Sequence, residues 1–517
     1  ERQEVEADGP SAQNYTNGSG VDGFWANYDR NSFDFSIDNP GAFELEVDYL
    51  NVQFSWDVAG GTVTNVFGYR ESYSETNADI DAQPVWIFHS DTASSYDQWS
   101  NELRWNGLLL DDRLNLTTGL YMFESELNYD EDRNLLGAAL VGTPGEGRPA
   151  LTQNGGGELD VQSLGLFMSG DYNITDNLIF TAGIRWSREE KDASITTLSR
   201  VPVGEFAGAP GGVNSECFIP GTAPNISYTD RESACVPDFV DGKRWSFVSP
   251  KVGFMYDIDA GSRIYANWSR GFRSGGYNLR NTEFPIVFGP GPFDIEQADS
   301  FEIGYKAEWD GGQFNLAVFQ TNGKDMQREV NLPSETAGVL QLIQNTADVE
   351  LFGLEADGTF AITDSFTLKA SMGWMSNKYT DVTFDLNGDG VVNGDDRDLK
   401  LPRAPDLTYS VTAIHDADFG DAGYLTSRLT YAYRDLTFYT DNNLGDINDQ
   451  EMLDGALDFH TADGHWIFSF YGRNLLNSVL HGGATQLPGA LGGFPTGGTF
   501  APLNRPRTFG IEASYKL

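Results

Sequence analysis

Basic residues are scarce in this chain. Lys and Arg together number 33, against 76 Asp and Glu, which leaves a formal net charge of −43 over 517 residues. A surface of that sign repels phosphates and excludes nucleic acid as a partner. Acidic loops ordinarily serve solubility and divalent-ion bridging; a field that steers cationic ligands is the less ordinary use. Long apolar runs are missing too: no stretch of about 18 apolar residues is present, so no transmembrane helix is available. Cysteine is nearly absent, with Cys217 and Cys235 the only two. The five histidines, His89, His415, His460, His465 and His481, show no metalloprotease spacing. No serine-nucleophile motif accompanies them, which disfavours an outer-membrane enzyme such as a lipase. Glu1-Arg2-Gln3-Glu4 is charged and polar, so no signal peptide opens the chain, which reads as mature, trimmed or incomplete.

What is present is alternation. In the last eleven positions Phe509, Ile511, Ala513, Tyr515 and Leu517 are apolar, while Thr508, Gly510, Glu512, Ser514 and Lys516 are small or polar. Strict period two means one face in apolar surroundings and one in water. A bacterial outer-membrane barrel commonly ends this way, with apolar side chains toward lipid. A mean hydropathy of −0.37 does not contradict this, because each strand dilutes its lipid face with a lumen face.

Strand candidates fall at 43–58, 61–76, 97–107, 113–128, 160–173, 178–193, 246–258, 262–272, 297–309, 313–329, 346–360, 366–384, 406–417, 423–438, 452–461, 465–474 and 507–517, about 17 in all. Leu178, Phe180, Ala182, Ile184 and Trp186 share one face; Ser427, Leu429, Tyr431 and Tyr433 share another. Tight turns such as Asp259-Ala260-Gly261 and Asp310-Gly311-Gly312 alternate with long polar loops near 77–96, 129–159, 194–245, 273–296, 330–345, 385–405, 439–451 and 475–506. Short periplasmic turns and long extracellular loops are the layout of an outer-membrane barrel. The fold class predicted is all-β, a transmembrane antiparallel β-barrel, with no internal repeat to suggest a propeller or solenoid. Strand parity assigns residues 1–42 to an extracellular loop segment and 43–517 to the barrel.

Several segments then carry a family resemblance. Gly68-Tyr69-Arg70, the run Tyr265-Ala266-Asn267-Trp268-Ser269-Arg270-Gly271-Phe272-Arg273-Ser274-Gly275-Gly276-Tyr277-Asn278, Glu302-Ile303-Gly304-Tyr305-Lys306, Gly353-Leu354-Glu355, Gly472-Arg473-Asn474-Leu475 and Pro506-Arg507-Thr508-Phe509-Gly510 follow one another in family order. The chain resembles the C-terminal part of a TonB-dependent outer-membrane receptor. Two departures are visible: the chain ends on Leu517 where the family usually has Phe, and neither a TonB box nor a globular plug is matched. Such receptors are plugged barrels of about 22 strands. The resemblance implies uptake of a scarce nutrient, by default a ferric siderophore, with cobalamin, haem or an oligosaccharide as alternatives. It implies as partners an N-terminal plug with the first strands (a separate chain or missing fragment), the TonB–ExbB–ExbD energy-coupling system acting through that plug, and the lipid/LPS bilayer. A passive porin is the rival reading, since a barrel without a plug encloses an aqueous channel.

Two sites stand out. In 385–396, Asp385, Asn387 and Asp389 occupy positions 1, 3 and 5 of a calcium loop, Gly390 gives the sharp turn, Val391 offers its carbonyl, Asn393 sits at position 9 and Asp396 at 12. Calcium takes six to eight hard oxygens, and this spacing wraps them around one point, so a structural Ca²⁺ is expected. Cys217 and Cys235 share one long loop, where an oxidising compartment predicts a disulfide. Arg273, Tyr277 and Asn278 lie where a strand enters an extracellular loop and are candidates for lining a ligand vestibule. The disulfide is checked by intact-mass analysis after alkylation without reduction: the expected result is no alkylated thiol, and two alkylated thiols would exclude it.

Overall fold

The computed structural model describes all residues except 1, 10, 17–19, 59, 143–145, 148, 203–238, 281–289, 335–337, 492 and 517. One antiparallel sheet of 18 strands forms the wall. In chain order its strands are Arg2–Asp8, Ala42–Val58, Gly61–Asp79, Phe88–Leu109, Leu114–Leu135, Leu151–Asn173, Leu178–Pro202, Phe239–Asp257, Ser262–Arg273, Glu296–Trp309, Gly312–Ser334, Gly338–Thr363, Phe366–Val382, Leu407–Asp418, Gly423–Arg434, Gln450–Thr461, Trp466–Arg473 and Thr508–Tyr515. Each pairs with its successor in the sheet, the up-and-down pattern expected when every connection is a hairpin. Gly311 and Gly464 take positive φ in two of the tight turns, where a Cβ would be strained.

The wall has an apolar outer row. Facing residues in an antiparallel ladder share a face. The registers align Leu166 with Trp186, Trp186 with Val248, Ile303 with Val318, Val318 with Leu354, Leu354 with Trp374 and Phe470 with Ile511. These side chains touch no core: Ile511 is 83 % exposed and Ile303 59 %. A continuous exposed belt of Trp, Phe, Ile and Leu is untenable in water and is what hydrocarbon solvates. The two faces expected at 178–186 and 427–433 are both realised in these registers.

Strands run well past the bilayer. About 9–11 residues suffice to cross, yet Gly338–Thr363 has 26. Along Ala42–Val58 the outward row reads Leu50, Val52, Phe54 and Trp56 toward the turns, then Asp48, Glu46 and Glu44 toward the loops. That switch from apolar to acidic marks the edge of the lipid. Among the described residues, buried apolar clusters occur where loops and strand ends pack: Ile87, Phe88, Leu135, Leu136, Ala150 and Leu491 form one; Ala347, Val349, Tyr379, Val382, Leu386 and Leu401 another; Ala193, Ile195, Trp245, Tyr277 and Leu279 a third.

The first strand departs from expectation. Residues 2–8, assigned to a loop from the sequence, form a strand that pairs with Asp48 back to Ala42, bringing the wall to 18 strands rather than about 17. It covers only the loop-side half of Ala42–Val58. Tyr49–Val58 therefore present an open edge, and so does Thr508–Tyr515 beyond its register with Trp466–Arg473. Among the described residues, no register joins these edges to each other.

Above the lipid the same seam is bridged. Ala12–Tyr15 pairs with Thr499–Pro502, which also pairs with Thr485–Gln486, so the first and last loops share one small sheet. Ala12, Gln13, Asn14 and Tyr15 are all buried. The Gln13 amide donates to the carbonyls of Asp29 (3.0 Å) and Asp34 (2.9 Å), which turns its oxygen toward His481 Nε2 at 3.1 Å. Arg30 pairs with Asp446 at 3.1 Å and lies over the Tyr15 ring. Burial, with Arg30 nearby, pushes His481 down to about 4 from 6.5. The folded cap therefore holds a neutral imidazole that the unfolded segment protonates more readily. Its contribution is fully present above 6.5 and is lost as pH falls toward 4, a linkage of about 3 kcal/mol. Limited proteolysis of residues 9–41 is expected to accelerate over that interval, and the acceleration is expected to flatten in His481→Asn.

Candidate functional site

The loop-side mouth gathers the polar side chains that point inward. Near the loop end of Leu114–Leu135 the inward row carries Tyr129, Glu131 and Arg133, and the last two are 1 % exposed. Arg133 Nε donates to Glu131 Oε1 at 2.7 Å, while Tyr129 Oη (2.8 Å) and Arg280 Nε (3.0 Å) donate to Oε2. Burial opposes charge on Glu131, but Arg133 and Arg280 outweigh it and hold the carboxyl down at about 2. Arg133 also reaches Gln341 Oε1 at 2.6 Å on the Gly338–Thr363 strand. A buried ion pair made this completely fixes geometry more than it adds stability. Here it fixes two distant stretches of wall to the segment between them. Arg328 and Asp441, 2.7 Å apart and both largely buried, tie the Gly312–Ser334 strand to the loop that precedes Gln450–Thr461.

The vestibule candidates lie in this region with differing roles. Arg273 ends the Ser262–Arg273 strand and is exposed. Tyr277 is buried against Trp245, and its hydroxyl donates to Asp241 at 2.9 Å. Asn278 donates to the Gln341 carbonyl (3.1 Å) and accepts from the Arg280 amide (3.1 Å), so it positions the Glu131 network. Tyr277 and Asn278 thus spend their polar atoms inside the protein. His89 and His481 are 9 % and 4 % exposed, so neither presents an open imidazole to a ligand in the vestibule.

The 385–396 loop is compact. Asp385 accepts from the amides of Gly388 (2.8 Å) and Gly390 (2.7 Å), Asn387 from Asp389 (2.8 Å) and Asp389 from Val391 (2.8 Å). Asp396 is fully buried and accepts from Leu386 (2.9 Å) and Asn393 (2.9 Å), while Asn393 caps the short helix Gly394–Arg397. Leu386 anchors the loop in the second apolar cluster. The oxygens of Asp385, Asn387, Asp389 and Asp396 are thus engaged by the loop's own amides, and the carboxylates of Asp385, Asp389 and Asp396 are not among the described acidic groups whose ligand atoms converge within 4.8 Å. Cys217 and Cys235 lie outside the described residues.

A third group was not visible in the sequence because its members come from separate segments. Asp38 in the first loop, Asp79 at the end of Gly61–Asp79 and His89 at the start of Phe88–Leu109 place one ligand atom each within 4.8 Å of one another. Asp38 Oδ1 and His89 Nε2 are 2.9 Å apart. Burial, against two backbone hydrogen bonds, raises Asp79 to about 6, and the neighbouring, fully buried Asp81 is raised as well.

This architecture has close counterparts among known proteins. The family model described as TonB dependent receptor-like, beta-barrel matches residues 4–475. The ferric yersiniabactin uptake receptor FyuA from Yersinia pestis is similar at 15 % identity and a TM-score of 0.71, over 99 % of this chain and 66 % of that one. The siderophore receptor PiuA from Acinetobacter baumannii gives 13 % and 0.73, over 99 % and 71 %. The copper transporter OprC gives 13 % and 0.65, over 99 % and 77 %. At such identities the structures establish the fold, and the chain spans just under two thirds of the length of FyuA. The family consists of bacterial outer-membrane transport receptors, not enzymes. With the model matched over most of its length, this chain belongs to the TonB-dependent receptor family and forms its β-barrel.

Proposed function

We propose that this chain is the greater part of the wall of an outer-membrane importer that takes up a scarce nutrient as a metal complex, a ferric siderophore first of all. The observation that carries the reading is the open seam beneath the apolar belt. Backbone N–H and C=O groups along Tyr49–Val58 and Thr508–Tyr515 would face hydrocarbon, at several kcal/mol for each unsatisfied group. Further strands must complete the ladder. Thr508–Tyr515 runs from loops to turns and Arg2–Asp8 runs the other way, so an even number of whole strands fits between them. About four would bring 18 to the 22 of plugged transporters. The half-strand still needed opposite Tyr49–Val58 belongs to the strand that ends at Asp8. A plug travelling with those strands would couple to TonB–ExbB–ExbD. The siderophore assignment draws on the neighbours, FyuA and PiuA among them, and on a mouth held rigid by buried ion pairs.

The reading makes the purified assembly informative. Mass spectrometry of the native particle is expected to find a plug with further strand sequence, and planar-bilayer recordings to show almost no conductance. A particle containing only this chain, with a large steady conductance, would establish the passive channel instead, closed by Arg2–Asp8 against Thr508–Tyr515.

Calcium in the 385–396 loop belongs to the same reading, as a clamp on an extracellular loop. Asp385, Asn387, Asp389, the Val391 carbonyl, Asn393 and Asp396 are the proposed ligands. Chelation is expected to expose 385–396 to protease, and Asp389→Ala to weaken calcium binding at least about tenfold, since ligand charge sets affinity in such loops. Calorimetry that finds no calcium uptake difference between wild type and Asp389→Ala removes the assignment.

A further inference from the structure

The Asp38, Asp79 and His89 group has features that its Asp38–His89 hydrogen bond does not explain. Asp79 is 6 % exposed. Its Oδ1 accepts the amides of Asp81 (3.0 Å) and Ala82 (2.8 Å), but its Oδ2 is buried with no hydrogen-bond partner. A buried carboxylate oxygen left unsatisfied is costly, and it calls for a cation or a proton. Asp81 lies alongside, 1 % exposed, with both oxygens used by the amides of Gln83 and Phe88. Among the described residues, no Lys or Arg forms an ion pair with Asp38, Asp79 or Asp81. Three carboxylates therefore share one imidazole.

The ligands are also held in place. The Trp86 indole stacks on the His89 ring at 4.8 Å and 9°, and its Nε1 donates to the Asn134 carbonyl at 3.0 Å. Asn39 Nδ2 donates to Asn77 Oδ1 at 2.7 Å, which pins the segment carrying Asp38 against the strand that carries Asp79. Fixing each ligand through a neighbour is what metal sites require.

We propose that Asp38, Asp79 and His89 form a binding site for one divalent first-row cation of the Zn²⁺ type, a site separate from the 385–396 loop. Ligand atoms within 4.8 Å of one another can surround an ion at the usual Zn–N and Zn–O lengths of about 2.0–2.2 Å. An imidazole among the donors selects against Ca²⁺ and Mg²⁺, which take oxygen. Three protein ligands leave a fourth position for water. Binding replaces the hydrogen bond between His89 Nε2 and Asp38 Oδ1: both atoms turn to the metal, and the neutral imidazole carries its one proton on Nδ1. The ion would clamp the first loop to two strand ends beside the seam.

The test uses the full assembly purified in detergent and stripped with chelator, titrated with Zn²⁺ by calorimetry and with Co²⁺ by visible absorption. Wild type is expected to bind one Zn²⁺, to give Co²⁺ bands of low-coordinate geometry, and to gain protease resistance at residues 9–41. Asp38→Asn and His89→Ala are expected to bind at least about tenfold more weakly and to gain no protection. Asp38 sits on a loop surface, so its variant keeps the barrel intact, as its unheated electrophoretic mobility will report. Equal Zn²⁺ uptake by wild type and a folded Asp38→Asn protein, or no uptake by either, overturns the proposal.

Discussion

A peptide group inside hydrocarbon has no water to turn to, so each N–H and C=O must find another strand. That single requirement organises the chain. It forces an unbroken antiparallel ladder from Arg2–Asp8 to Thr508–Tyr515. It makes the side chains secondary in the wall, where they need only be apolar outward and tolerant of water inward. It also draws attention to the seam, where, among the described residues, Phe54 and Trp56 on one side and Phe509 and Ile511 on the other line edges with no register to a further strand. In a soluble sheet such edges are tolerated because water satisfies them; here that remedy does not exist.

The distribution of packing follows. Within the bilayer each residue sees lipid or lumen, and neither provides protein neighbours, so no core forms there. Density returns above the lipid, where Leu135, Ile195, Leu342 and Leu386 disappear from solvent between loops and strand ends. Specific chemistry sits at the same level. The Glu131 network, the Arg328–Asp441 pair and the Gln13–His481 contact all join segments far apart in sequence. The wall supplies the frame; the loops supply specificity, as is usual where a rigid scaffold carries variable connections.

Legibility in the sequence divides along the same boundary. Where lipid enforces alternation, the reading was sound: Leu178 to Trp186 and Ser427 to Tyr433 face as their periodicity requires. Beyond the lipid the rule lapses. Strands expected to stop near 76 and 107 begin or continue into polar stretches, as Gly61–Asp79 and Phe88–Leu109 show. Arg2–Asp8 went unseen for this reason: its outward row is Arg2, Glu4, Glu6 and Asp8, which carries no apolar signature. The candidate donors of the 385–396 loop could be named from sequence because they lie within twelve consecutive positions. Asp38, Asp79 and His89 could not, because only the folded wall brings them together. Tyr277 and Asn278 were placed correctly at a strand end entering a loop, but nothing in the sequence signalled the tertiary partners, Asp241 and the Gln341 carbonyl, that engage their polar atoms.

The small sheet that joins the first and last loops has a kinetic meaning. Asn14 donates to the Gly497 carbonyl across 483 positions of sequence. Closing a loop that long costs only about 3 kcal/mol more entropy than closing one of twenty residues, because the penalty grows with the logarithm of length. Yet diffusion of a free chain would rarely bring such distant residues together, and a wall that zips hairpin by hairpin does so only at its end. The buried Ala12–Tyr15 segment therefore acts as a completion signal. Its protection from solvent should appear after that of every hairpin in the wall, so the moment it vanishes into the interior dates the end of assembly.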